Sequence, residues 1–109
     1  MKPHADLLQG SLDLLILKSL VLGPLHGWGV SKRIRQLSKD VLEINQGSLY
    51  PALNRLEDRG WIVAEWGMSP EGRKVKVYTL TLAGREQYRT AQEQWRLFSG
   101  AVSRVLAAT

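Results

Sequence analysis

The sequence predicts a mainly α-helical chain that closes on a small β-hairpin and ends in one long helix. Three observations carry this. Apolar residues recur at helical spacing in successive stretches before Gly60. Between Trp61 and Leu80 the apolar period drops to two, on either side of a turn cluster. From Leu82 onward a 3-4 spacing of apolar residues takes over and holds almost to the C-terminus.

The first helix is expected from Asp6, as N-cap, to Leu22. Leu8, Leu12, Leu15 and Ser19 form one face, and Leu14, Ile16, Leu17, Leu20 and Val21 cover the others. A helix apolar nearly all round is a buried one, covered by the core or by a second chain. Gly23-Pro24 stops it, because the residue before proline is pushed out of helical geometry. A second helix is expected from Gly27 to Ser38, with Val30, Ile34 and Leu37 inward and Lys32, Arg33 and Arg35 outward. The third opens between Gln46 and Tyr50 and ends at Gly60, with Leu49, Ala52, Leu53 and Leu56 as its core stripe. Pro51 is expected in its first turn, where a missing N–H costs little. Two strands follow, Trp61–Gly67 and Val75–Leu80, joined through Met68-Ser69-Pro70-Glu71-Gly72-Arg73. Thr81 caps the last helix, Leu82–Ala107, about 39 Å long at 1.5 Å per residue. Its seam is Tyr88, Ala91, Trp95, Phe98, Val102 and Val105, the spacing of a coiled coil, and it is read as a dimer seam.

A chain of 109 residues predicts one compact unit. At 44% hydrophobic, with only 10 Gly and 4 Pro, its balance is that of a globular chain and not of a linker. The absence of cysteine excludes disulfides, thiolate metal sites and thiol nucleophiles, and fits a cytoplasmic protein. Met1–Gly10 lacks the pattern of a signal peptide. Leu12–Leu22 is interrupted by Asp13, Lys18 and Ser19 and falls far short of the roughly 20 residues of a membrane span. A soluble chain with no membrane partner is expected.

The net charge of +5 is unevenly spread. Residues 1–26 sum to zero, 27–60 to +2, 61–68 to −1, 69–78 to +2 and 79–109 to +2. The densest cationic site is therefore Arg73, Lys74 and Lys76 around Gly72, a composition suited to phosphate. His4 and His26 have no ligand partners at metal-binding spacing, and His26 reads as a structural turn residue. No nucleophile elbow, phosphate-binding glycine loop or paired carboxylates occur, so neither an enzyme nor a bound cofactor or metal is expected.

Helix, helix, helix, hairpin is the order of a winged helix-turn-helix. Residues 1–81 would form that unit and 82–109 a dimerisation helix. The third helix would enter the major groove of double-stranded DNA while the hairpin, the wing, follows the backbone. Its face away from the leucines holds Gly47, Pro51, Asn54 and Asp58, flanked by Ser48, Tyr50 and Arg55, small and polar enough for close approach. Ser48 at the helix start suits a phosphate, and Asn54 suits the adenine N6/N7 edge. Tyr50 suits backbone or base. Arg55 and Lys32 suit phosphate, as do Arg73, Lys74 and Lys76. A winged helix that binds only a protein partner is the alternative, and a basic wing argues against it.

Three blocks of residues resemble the PadR-like family of transcriptional regulators. They are Gly23-Pro24-Leu25-His26-Gly27-Trp28, then Gly47-Ser48-Leu49-Tyr50-Pro51-Ala52-Leu53 with Arg55-Leu56-Glu57 and Gly60, and finally Tyr78 to Arg85. The similarity runs from Asp6 to Leu106 and is closest to the members with a single C-terminal helix. The wing departs from the family pattern at Lys74, where many members have proline, and at Val77, where they have an aromatic residue. The resemblance implies a homodimeric repressor released from its operator by a small molecule. It also implies that Trp95, facing its symmetry mate in the dimer, could stack a flat aromatic effector.

Overall fold

A computed structural model describes the backbone of residues 5–109, with side chains from residue 11 onward. His4 and the side chains of Asp6 and Leu8 lie outside the described residues. The elements are α1 (Ala5–Val21), β1 (Leu25–His26), α2 (Gly27–Leu37), α3 (Gln46–Asp58), β2 (Ile62–Met68), β3 (Lys74–Leu80) and α4 (Leu82–Ala107). All four helices and both wing strands thus fall within a few residues of the expected bounds. The three strands form one antiparallel sheet in the order β1-β3-β2.

The core forms where α1, α2 and α3 meet the sheet. Leu12, Ile16, Leu17 and Leu20 of α1 pack with Val30 and Ile34 of α2 and Leu49, Ala52, Leu53 and Leu56 of α3. Ile62, Tyr78 and Leu80 close it from the sheet. Fully burying one such large side chain stabilises the fold by about 1.5–3 kcal/mol. The buried Ser19 donates to the Leu15 carbonyl at 2.9 Å, so its hydroxyl is satisfied inside α1. Arg33 of α2 donates to the Ser19 carbonyl at 3.0 Å, tying the two helices together. Leu37, expected in the core, is 61% exposed at the C-terminal end of α2.

Several local features differ from expectation. β1 is too short to show a period; it exists because Leu25 and His26 pair with Tyr78 and Val77 of β3. His26 then caps α2, its Nδ1 accepting the Gly29 N–H at 2.9 Å. The cap of α3 is Asn45, whose Oδ1 accepts the Ser48 N–H at 2.8 Å. That start puts Pro51 in the second turn, where the carbonyl four residues back, on Gly47, loses its helical donor. At the far end Gly60, at φ +77°, donates to the Glu57 carbonyl, and Trp61 to that of Leu56, a Schellman closure.

The wing pairs Ile62 with Leu80 and continues in register to Met68 opposite Lys74. Its turn is narrower than the sequence suggested. Gly72 donates to the Ser69 carbonyl at 2.9 Å, with Pro70 second in the turn, where its fixed φ is favourable. Ser69 also binds Arg73 twice, through N–H to carbonyl at 2.8 Å and through Arg73 N–H to its hydroxyl at 3.1 Å. One wing face descends from the core outward: Ile62 is buried, Ala64 half-buried and Trp66 exposed.

The α4 helix begins as expected, with the Thr81 hydroxyl accepting the Gly84 N–H at 3.0 Å. Tyr88 packs against the core, and Lys18 of α1 lies 5.7 Å from its ring centroid. The first residue of the expected seam is therefore used within the chain. Beyond it α4 projects, and the chain measures 56 × 30 × 21 Å.

Candidate nucleic-acid interface

The outer face of α3 is the polar one. Gly47, Tyr50, Pro51, Asn54 and Asp58 are exposed, and Ser48 and Arg55 are half-buried beside the leucines. Small side chains at 47, 51 and 54 let this helix approach another surface closely. Tyr50 does two things at once. Its ring lies on Gly27, where a Cβ would meet Cε1 at 2.9 Å, so a larger residue there would have to displace the tyrosine ring. The same tyrosine remains 40% exposed on the outer face.

The wing folds beside this face. Tyr50 and Asn54 of α3 share one cleft with Trp66 of β2, Lys76 and Tyr78 of β3, and His26 and Trp28 at the start of α2. Arg73, Lys74 and Lys76 are all exposed on the wing. Lys32, on the outer side of α2, sits with Nζ 5.1 Å from the Trp28 ring centroid, and Lys74 sits 5.3 Å from that of Trp66. Both lysines thus lean on apolar surface while their charges stay in water. The acid at the wing tip, Glu71, is held below the ordinary carboxylate range by its own backbone N–H and the Ser69 hydroxyl, with smaller help from His26 and Lys32. It remains ionised, so it offsets one of the three wing cations.

Arg55, expected to contact phosphate, has a partner within the chain. Its Nη2 meets Asp13 Oδ1 of α1 at 2.5 Å, with both side chains largely covered. This contact ties α3 to α1. The Ser48 N–H is taken by Asn45, which leaves its hydroxyl as the group for an outside partner. Trp28 and Trp66 enter the cleft without having been singled out for it. Exposed tryptophans in a chain with 4 of them were the available signal.

On α4, Trp95, Phe98, Val102 and Val105 are all exposed, as is Leu106, which shares their side of the helix. Trp95 and Phe98 touch at a centroid distance of 6.1 Å and a tilt of 39°. Ala91 is half-buried.

Comparison with known proteins agrees with this arrangement. The sequence model described as the transcriptional regulator PadR-like family matches residues 16–90, which span α2, α3, the whole wing and the start of α4. The chain belongs to the PadR-like family. Among solved structures it is similar to a transcriptional regulator from Clostridium thermocellum, at 29% identity and a TM-score of 0.82, covering 91% of this chain and 96% of that one. A PadR-like transcriptional regulator from Bacillus cereus aligns at 26% identity and a TM-score of 0.81, covering 95% and 99%. An uncharacterised protein of Lysinibacillus sphaericus is 28% identical over 84% of both chains. For a PadR-like regulator, four helices and a three-stranded antiparallel sheet form the winged helix expected from the sequence. Among the described residues no helix is long and apolar enough to cross a membrane.

Proposed function

We propose that this PadR-like regulator is a homodimeric repressor that seats α3 in the major groove of operator DNA and lays its wing along the backbone. One observation carries the reading: Tyr50 and Asn54 of the polar face of α3 open into the same cleft as Lys76 of the wing, with Arg73 and Lys74 exposed farther along it. Tyr50 and Asn54 would meet base edges or sugar, and Ser48, Lys32, Arg73, Lys74 and Lys76 would meet phosphates. Residues 1–81 act as the DNA-binding unit and 82–109 as the dimerisation helix. The exposed row from Trp95 to Leu106 supports pairing of α4 with a second copy, since a lone chain rarely leaves so continuous an apolar stripe in water.

Pairing would set the two recognition helices at a fixed separation, about 34–36 Å for half-sites one DNA turn apart. A flat aromatic effector between Trp95 and its symmetry mate would change that separation and release the operator. The wing gives the direct test. A bound sequence is first selected from a random duplex pool, and affinity is then measured against salt. Arg73→Ala with Lys74→Ala should weaken all sequences alike and reduce the salt slope by up to about two units. Unchanged affinity and slope in the double variant would remove the wing from the backbone. A wild-type slope near zero would favour a protein-binding role over DNA.

A further inference from the structure

The cleft between the wing and α3 holds more than a duplex requires. Its volume is about 340 Å³, within the roughly 300–1,000 Å³ of small-ligand sites. A double helix presents its phosphates and base edges to a protein, while the faces of its bases stay stacked on one another. Yet this cleft is walled by Trp28, Tyr50 and Trp66, with Tyr78 buried behind them. Trp28 is 50% exposed and Trp66 65%, so both indoles keep surface open for stacking. Lys76 lines the same space, and Lys32 and Lys74 lie over the rings of Trp28 and Trp66 without lining it. No carboxylate is among the lining residues.

Aromatic platforms beside a cationic groove are how proteins hold unpaired nucleotides, the ring stacking and the phosphate meeting a positive charge. We infer that the cleft binds a free nucleotide, a planar heterocycle carrying a phosphate. The base stacks on the indoles of Trp28 and Trp66, the Asn54 amide offers a donor and an acceptor to its edge, and the phosphate sits at Lys76. The several lysines favour a dianionic phosphate over a singly charged aromatic acid. Tyr50, Asn54 and Lys76 cannot serve a nucleotide and an operator together, so the nucleotide displaces DNA by direct competition. That consequence rests on the DNA-binding reading above; nucleotide binding itself does not.

The indole N–H signals of the full chain, labelled with nitrogen-15, test this with adenosine 5′-monophosphate as probe. The signals of Trp28 and Trp66 should shift saturably while those of Trp61 and Trp95 stay in place. Trp66→Ala and Lys76→Gln should each weaken binding roughly tenfold, the scale of one stacking platform. Adenosine and inorganic phosphate should each bind more weakly than the nucleotide. Selected operator duplex, added last, should be displaced by the nucleotide. The proposal is overturned if Trp28 and Trp66 do not move, if all four indoles move alike, or if inorganic phosphate binds as well as the nucleotide. A nucleotide that binds without displacing duplex overturns the competition. A nucleotide that binds to a protein with no duplex affinity supports the cleft and overturns the DNA-binding reading instead.

Discussion

Replacing Gly84 with alanine tests how the last helix is seated. Gly84 is buried in the first turn of α4, and a methyl group there would fall on the Trp61 carbonyl oxygen and lie 2.7 Å from Leu80 Cδ1. The leucine methyl can swing aside. The carbonyl cannot, because it accepts the Thr81 N–H at 3.0 Å while the Thr81 hydroxyl donates to the Gly60 carbonyl at 2.7 Å. α4 must therefore back away from the strand. Overpacking of this kind costs about 1–3 kcal/mol, and alanine recovers about 0.8–1.0 kcal/mol through its helix propensity. Because the clash is with a backbone oxygen, the upper half of the overpacking cost applies, and the net loss of about 1–2 kcal/mol lowers Tm by roughly 5–15 °C in a domain near this size. Gly100→Ala is the control on the same helix. Its nearest atom is Arg104 Nη1 at 3.7 Å, the end of a flexible side chain, so alanine there should stabilise by about 0.5–1 kcal/mol. Urea unfolding at one fixed protein concentration measures both, since association would otherwise shift the midpoint. Equal stability of Gly84→Ala and the parent, or the same loss in both variants, would refute the argument.

Val102→Glu should place like charges across the proposed α4 seam and yield monomers, with operator affinity falling as the two half-sites uncouple; sedimentation showing a tight dimer would contradict the seam. Arg55→Gln and Asp13→Asn should each destabilise by about 1 kcal/mol, and a double-mutant cycle should show that the losses do not add. Additive losses would mean that Arg55 is not committed to Asp13. The Tyr78 phenol is pushed up from its ordinary range by burial, and further by Glu57 and Tyr50. Its contribution is therefore complete below the unfolded tyrosine value of about 10 and is lost as pH rises through the higher folded value. Unfolding midpoints should fall above pH about 10 in the parent and less steeply in Tyr78→Phe; parallel falls would assign the effect elsewhere.

Helix boundaries, the wing and the start of α4 were legible because each is written in neighbouring residues. Thr81 and Gly84 lie three apart, the α3 leucines repeat every three or four, and Gly60 ends the helix with its own backbone conformation. The candidate site was legible in part: Tyr50, Asn54 and Lys76 do share a cleft. The contact of Arg55 with Asp13 was not legible, because the two stand 42 residues apart. No local pattern reports a contact made at that distance. Trp28 and Trp66 were passed over for the same reason, since an aromatic residue in a strand or helix start reads as packing until its neighbours are known.

The sequence by itself determined the order of elements, the inward face of α3, the cationic wing and the apolar row on α4. Those properties depend on periodicity and on turn chemistry, which act over a few residues. Only the tertiary structure decided that Leu25–His26 is a strand, since two residues have no period and β1 exists through its pairing with β3. It also decided which arginine meets a carboxylate, where a glycine gives room to a backbone oxygen or a ring, and where five separate elements leave an aromatic cleft. Those are outcomes of close packing between distant segments, where one backbone oxygen or one ring face excludes a methyl group that the local chain would readily accept.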